Sequence, residues 1–185
     1  MAARVFAALS PEVRRAAVFG GQSPAEIAEI VSELDLDVVQ LHEDPPLDLA
    51  RSVKEATGRL VWAVVRVPEI VVDGGQAPAA DRLAARIAEL DGEVDAVLLD
   101  TLAVAGLGGS GRRFDWSLVG EAARPRRSRL VAAGGLAPET VGEAIAALRP
   151  DVVDVSSGVE RATGLKDHER MRAFAQAVRR AAGDT

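Results

Sequence analysis

The chain has 185 residues, a formal net charge of −6 and no cysteine. This length fits one domain over residues 1–185, and 48% hydrophobic with 27% charged residues excludes a disordered or collagen-like chain. The acidic balance argues against nucleic acid as a partner. No apolar run approaches the roughly 18 residues of a membrane helix, so no membrane partner is expected. The lack of cysteine excludes disulfides and thiolate metal sites and fits a cytoplasmic location.

Short apolar runs alternate along the chain with longer amphipathic stretches. A short first helix is predicted over Ala2–Leu9. The predicted strands are Arg14–Phe19, Asp37–Leu41, Leu60–Val67, Ala96–Leu99, Arg129–Ala133 and Val152–Val155. Six helices are predicted between and after these strands. The first two begin at Ser23-Pro24 and at Pro46, and the third covers Ala79–Leu90. The fourth follows Phe114-Asp115-Trp116, the fifth runs from Pro138 to near Leu148, and the sixth covers Asp167–Ala181.

Six strand–helix units in strict alternation predict an α/β fold with a parallel sheet. The strands are apolar throughout, which is typical of strands buried on both faces. Two architectures satisfy this pattern, an open doubly wound sheet and a (βα)8 barrel with fewer units, and counting does not choose between them. In both, the active site lies at the carboxyl ends of the strands.

Asp100 ends the fourth predicted strand and is followed by a glycine-rich loop that contains Gly109 and Gly111. A carboxyl group among hydrophobic neighbours can hold its proton and act as a general acid. A helix-capping or loop-bridging aspartate is an equally good interpretation. The glycines permit close approach of the backbone to a ligand, although a plain surface loop has the same composition.

Two small-residue turns follow the last two predicted strands. Gly134-Gly135 follows one strand, and Ser156-Ser157-Gly158 follows the next. In (βα)8 barrels the loops after the last two strands commonly bind phosphate with backbone amides. These turns therefore predict a phosphate site, with a pair of purely structural turns as the alternative. Lys166 lies near this end, and an ordinary surface role is favoured for it.

Gln40 and His42 lie at the end of the second predicted strand. Both are candidate substrate contacts, since a strand-end histidine can act as an acid, a base or a binding group. A structural hydrogen bond is the more common role of such a histidine.

In their order and spacing, these motifs resemble the phosphoribosylanthranilate isomerase family of tryptophan biosynthesis. The matching segments are Val39–His42, Leu98–Thr101, Gly108–Gly111, Phe114–Trp116, Ala133–Leu136 and Val153–Glu160. The resemblance implies a (βα)8-barrel intramolecular aldose–ketose isomerase that performs an Amadori rearrangement without a metal or organic cofactor. It implies Asp100 as the general acid, a phosphorylated small molecule as substrate, and a homodimer as one possible assembly.

Three departures from the family accompany this resemblance. The family's general base is a cysteine on the first barrel strand, and this chain has none. The segment Ala2–Phe19 resembles the family's second helix and third strand, so six units, strands three to eight of the barrel, are expected. A misassigned start, a complemented fragment or a degenerate relative would each explain this, and a non-catalytic phosphate-binding module is the alternative function. Glu43 also stands where the family usually has glycine, which is expected to narrow the substrate mouth.

Overall fold

The fold was analysed on a computed structural model, which describes residues 6, 8–67, 77–101, 116–124 and 126–183. Side chains are described for these residues except 77–79, 101 and 116–118. Of the predicted first helix, Ala2–Leu9, only Phe6, Ala8 and Leu9 are among the described residues.

Strands and helices alternate in the order in which the sequence predicts them. The main sheet contains β1 (Ala16–Phe19), β2 (Val38–Leu41), β3 (Leu60–Val67), β4 (Ala96–Thr101), β5 (Arg129–Ala133) and β6 (Val152–Val153). The helices are α1 (Pro24–Leu34), α2 (Leu47–Thr57), α3 (Ala77–Leu90), α4 (Trp116–Ala122), α5 (Val141–Leu148) and α6 (His168–Ala182). A short antiparallel pair, β7 (Glu160–Ala162) and β8 (Leu165–Lys166), precedes α6 and was not expected from the sequence.

The six strands of the main sheet are parallel, and each pairs with its neighbours in chain order from β1 to β6. A doubly wound sheet reverses its strand order at a switch point, and no reversal occurs among the described strands. The barrel-type order is therefore confirmed, and the doubly wound alternative is excluded. In the part of the chain that the structure describes, β1 and β6 form the two edges of the sheet.

The two faces of the sheet carry different apolar clusters. The larger cluster packs the sheet against the helices and includes Val61, Val97 and Leu130. Leu98 and Val131 belong to a smaller cluster. Since side chains alternate between faces along a strand, Asp100 is on the same face as Leu98. The candidate site lies on this face, at its carboxyl end.

Aspartates at the start of the strands hold the opposite, amino-terminal end of the sheet. Asp37 accepts a hydrogen bond from the Arg15 backbone N–H at 2.7 Å, and Asp151 accepts one from the Leu130 N–H at 2.8 Å. Each aspartate lies just before its own strand, and it accepts a hydrogen bond from an N–H group at or next to the start of the neighbouring strand. These bonds fix the strand register, which in turn sets which residues meet at the carboxyl end.

Candidate active site

A cleft of about 280 Å³ lies at the carboxyl ends of the strands. It lies between β4, β5 and β6, with one contribution from β2. The residues that line it are Gln40, Leu98, Asp100, Ala133, Gly134, Gly135, Leu136, Asp154, Val155, Ser156 and Ser157. The structure thus brings together predicted site residues that lie more than 100 positions apart in the sequence.

Asp100 lies in β4, one residue before the strand ends, and it is half-buried. Its register partner on β5 is Ala133, whose methyl group leaves room beside the carboxyl group. Leu98, almost fully buried, packs below it on the same face. This arrangement presents a carboxyl group to the cleft with an apolar side chain behind it.

A second carboxyl group, that of Asp154, lines the same cleft and was missed as a site residue by the sequence analysis. It follows β6 directly, and its backbone N–H donates to the Ala132 carbonyl at 2.8 Å. Burial raises the pKa of the Asp154 carboxyl, and the negative charge of Asp100 raises it further. The sequence does contain a hint: Asp154 directly follows the apolar residues of β6, just as Asp100 directly follows the apolar residues 96–99 of β4.

The two small-residue turns meet at one end of the cleft. Gly134 and Gly135 have φ values of +78° and +62°, a backbone conformation that glycine adopts without strain. On the neighbouring strand end, Ser156 precedes a short 3-10 helix over Ser157–Val159. The backbone of these two turns, together with Ser156 and Ser157, therefore lines this end of the cleft.

Gly158 joins the second turn to the first. A Cβ atom placed on it would lie 1.8 Å from the Leu136 carbonyl oxygen and 2.8 Å from the Leu136 carbonyl carbon. No side chain fits in this space, because the backbones of the two turns are in contact. The hydrogen atom of glycine thus sets the spacing between the two halves of the predicted phosphate site.

Lys166 on β8 is exposed, as predicted, and its side chain also contacts the serine turn. Its Nζ donates to the Ser156 carbonyl at 2.9 Å and to the Ser156 Oγ at 3.3 Å. It also forms an ion pair with Glu160 at 2.7 Å. The ammonium group places a positive charge at the rim of the cleft, next to the turn.

Gln40 and His42 end in different surroundings. The half-buried Gln40 lines the cleft, as expected of a substrate contact. His42 does not line it; its backbone N–H donates to the Phe19 carbonyl at 2.9 Å. Its Nδ1 is buried and has no hydrogen-bond partner among the described residues. Gln40 and Asp100 therefore line the same cleft. A substrate contact by His42 stays a prediction.

The loop after β2 explains why glycine suits the position of Glu43. Glu43 and Asp44 have φ values of +65° and +51°, in the left-handed region. Arg66 on β3 holds both: its guanidinium lies 3.6 Å from a Glu43 carboxylate oxygen, and its backbone N–H donates to Asp44 at 3.1 Å. A side chain in this conformation costs about 1 kcal/mol, and the Arg66 contacts offset part of that cost.

Replacing Glu43 with glycine is expected to raise the free energy of unfolding by about 0.5–1 kcal/mol, because glycine adopts positive φ without strain. Urea unfolding of both proteins measures the difference. Glu29→Gly, at an exposed position in the middle of α1, serves as the matched control and is expected to destabilise by about 1 kcal/mol. Equal destabilisation by the two substitutions would contradict the strain at Glu43.

Some predicted site residues lie outside the described part of the chain. Gly109 and Gly111, and the segment from Phe114 to Asp115, belong to residues 102–115, which the structure does not describe. Within the described residues, no group of three or more histidine, aspartate or glutamate side chains could hold a metal ion. No helix in the same residues is long and apolar enough to span a bilayer.

A parallel sheet in sequential strand order, with its cleft at the carboxyl strand ends, defines the class of (βα)8-barrel enzymes. Comparison with known proteins identifies the family within that class. Residues 2–177 match the family model described as N-(5'phosphoribosyl)anthranilate (PRA) isomerase. The chain belongs to this family of isomerases of tryptophan biosynthesis.

Individual relatives agree with the family match. The N-(5'-phosphoribosyl)anthranilate isomerase of Acetivibrio thermocellus is 38% identical over 182 residues, covering 95% of this chain and 77% of the relative. The crystal structure of the Thermotoga maritima enzyme superposes with a TM-score of 0.76 at 37% identity, covering 98% of this chain and 79% of the other. A phosphoribosylanthranilate isomerase in complex with reduced 1-(o-carboxyphenylamino)-1-deoxyribulose 5-phosphate gives a TM-score of 0.72 at 34% identity, covering 98% and 78%.

Proposed function

We propose that the cleft between β4, β5 and β6 catalyses the Amadori rearrangement of N-(5'-phosphoribosyl)anthranilate to 1-(2-carboxyphenylamino)-1-deoxyribulose 5-phosphate. The observation that carries this proposal is the meeting of Asp100 with the glycine and serine turns in one cleft. The substrate has a ring oxygen to protonate and a phosphate to bind. The cleft offers a carboxyl group for the first task and two converging backbone turns for the second.

In this mechanism the Asp100 carboxyl protonates the furanose ring oxygen while the bond between that oxygen and C1 breaks. Gly134-Gly135 and Ser156-Ser157 hold the phosphate, and Gln40 contacts the substrate between these two points. The family's base removes the C2 proton of the resulting Schiff base. A thiol in that role has no counterpart among these 185 residues, so slow turnover is expected from this chain alone.

Inorganic phosphate, titrated into 15N-labelled protein, is expected to shift the amide resonances of residues 134–135 and 156–158. Backbone N–H groups aimed at an anion bind it without side-chain charge. Ser157→Asp is expected to weaken binding about tenfold or more, since a negative charge about 5 Å from a dianion costs over 1 kcal/mol even in water. Shifts confined to other residues would refute the phosphate site.

Ser52→Asp on α2 makes the same change of net charge at an exposed position away from the cleft. It is expected to leave phosphate affinity within about twofold, because exposed charges beyond about 8–10 Å are screened at physiological salt. Equal losses in Ser52→Asp and Ser157→Asp would mean that net charge alone controls binding.

The alternative function is a phosphate-binding module without catalysis. It retains the glycine and serine turns and gives Asp100 only a structural role. Single-turnover decay of the fluorescence of phosphoribosylanthranilate, with protein in excess, separates the two functions. Phosphate binding without any decay above the spontaneous rate would favour the module.

We also propose a homodimer and a cytoplasmic location. A solved relative from Thermotoga maritima represents monomers generated from a dimeric phosphoribosylanthranilate isomerase, which supports self-association here. Sedimentation equilibrium at several protein concentrations tests the proposed homodimer.

The cysteine-free sequence fits a reducing compartment, which supports the cytoplasmic location. Small phosphorylated substrates are the expected partners, without nucleic acid or membrane.

A further inference from the structure

We propose that Lys166 is a positioning residue of the phosphate site, which orients the peptide group between Ser156 and Ser157 and the Ser156 hydroxyl group toward the anion. The inference rests on the proposed function, in which residues 134–135 and 156–158 hold the phosphate. It adds to that site a side chain that lies outside the lining of the cleft.

The serine turn is held from outside through its carbonyl groups. Four consecutive carbonyls, those of residues 156–159, each accept a hydrogen bond from a donor that follows the turn in the chain. The four donors, in the order of the carbonyls, are Lys166 Nζ, the Glu160 N–H, Arg170 Nε and the Asp167 N–H. The hairpin of β7 and β8 and the start of α6 therefore hold the carbonyl side of the turn.

The contact of Lys166 with the Ser156 carbonyl, at 2.9 Å, sets the direction of the next N–H group. In a trans peptide the C=O and the N–H point in opposite directions, so the Ser157 N–H points away from Lys166. Ser157 lines the cleft and Lys166 does not, which places this N–H on the cleft side of the turn. It donates to no other residue in the described part of the chain, so it is available to an anion.

Lys166 also decides what the Ser156 hydroxyl group can do. Its Nζ lies 3.3 Å from the Ser156 Oγ, and an ammonium group donates hydrogen bonds but accepts none. The hydroxyl oxygen therefore accepts from Lys166, and its own hydrogen is left for a different acceptor. The ionised oxygens of a phosphate are such acceptors, and a hydroxyl group that donates to one forms a charge-assisted hydrogen bond.

The lysine acts through these two hydrogen bonds rather than through its charge. Its ammonium group is paired with the Glu160 carboxylate at 2.7 Å, and its side chain is 41% exposed. The paired charges largely cancel at a distance, and solvent and salt screen what remains. Glu160 also accepts from the Gly164 N–H at 3.1 Å, so the ion pair is attached to the hairpin and keeps Lys166 in place.

The test is a double-mutant cycle of Lys166→Met and Ser156→Ala, with the Kd for inorganic phosphate measured by NMR on 15N-labelled protein. Each single substitution is expected to weaken binding about tenfold, the usual effect of losing one hydrogen bond to a charged group. In the Lys166→Met background, Ser156→Ala is expected to cost less than about threefold more, because the hydroxyl group is no longer oriented. A merely structural role of Lys166 would leave the two losses independent.

Lys54→Met on α2 is the matched control. Lys54 is the other lysine of the chain, and it is likewise ion-paired, with Asp95 at 3.2 Å. It lies outside the lining of the cleft, so its loss is expected to leave phosphate affinity within about twofold at physiological salt. Urea unfolding of each variant establishes that it is folded before the titration.

An equal loss from Ser156→Ala in both backgrounds, or unchanged affinity in Lys166→Met, would overturn the positioning role and leave the phosphate site in place. A loss in Lys54→Met as large as that in Lys166→Met would assign the effect to net charge and overturn the positioning role as well. If phosphate shifts neither residues 134–135 nor 156–158 in the unmodified chain, the proposed site itself fails, and the role of Lys166 fails with it.

Discussion

Replacing Gly158 with alanine is expected to lower the free energy of unfolding by about 3 kcal/mol or more. The added methyl group would lie 1.8 Å from the Leu136 carbonyl oxygen, and this neighbour is backbone rather than a flexible side-chain end. Overpacking of a well-packed site costs about 1–3 kcal/mol, and more where the backbone itself must move. Urea unfolding followed by circular dichroism measures the loss.

The same substitution is expected to weaken phosphate binding, because it forces the serine turn away from the glycine turn. Two controls isolate this effect. Gly142→Ala meets no atom within 4 Å and is expected to be neutral or to stabilise α5 by up to about 1 kcal/mol. At Gly120 on α4, which packs against α5, a Cβ would lie 2.5 Å from the Ala147 carbonyl oxygen, so Gly120→Ala is expected to destabilise without changing phosphate affinity. Full stability in Gly158→Ala would refute the close approach of the two turns.

Local signals in the sequence predict most of the fold. The strands Leu60–Val67 and Arg129–Ala133 begin and end where their apolar runs do. The Ser23 side chain accepts from the Glu26 N–H while the Glu26 carboxylate accepts from the Ser23 N–H, a capping box that starts α1. These features need only neighbours in the chain, so a single sequence contains all the information that determines them.

Other boundaries depend on contacts that a local pattern does not contain. β6 ends at Val153 rather than Val155, because Asp154 turns into the cleft while its N–H still bonds to Ala132. α5 begins at Val141 rather than at Pro138, since the Ala137 N–H donates to the Thr140 Oγ and forms a turn first. The β7–β8 pair was missed because its strands are only three and two residues long.

The candidate site likewise contains residues that local sequence signals predict and residues that only distant contacts bring in. Asp100 and the glycine and serine turns stand out in the sequence because each follows an apolar strand, and the cleft unites them. Asp154 directly follows β6, and only the strand order shows that it lines the same cleft as Asp100. Lys166 contacts Ser156, ten residues earlier in the chain, because the β7–β8 hairpin folds back on itself. No local residue pattern predicts that contact.

Asp100→Asn is expected to lower single-turnover decay of phosphoribosylanthranilate by about 10²–10⁴-fold, the usual loss for a general acid. Asparagine fills the space of the carboxyl group but has no acidic proton to give to the ring oxygen. Phosphate affinity is expected to stay within about twofold, since the amide leaves the turns at residues 134–135 and 156–158 in place. The fluorescence assay and the NMR titration with phosphate measure the two quantities on one preparation.

The combination of these two readouts separates chemistry from folding. A loss of decay together with a loss of phosphate binding would point to a damaged cleft, whereas loss of decay alone assigns Asp100 to the proton transfer. Asp48→Asn, at an exposed position on α2, gives the matched change of charge and is expected to retain both properties. Decay as fast in Asp100→Asn as in the unmodified chain would refute the general-acid role, because ring opening needs a proton on the leaving oxygen and asparagine cannot supply it.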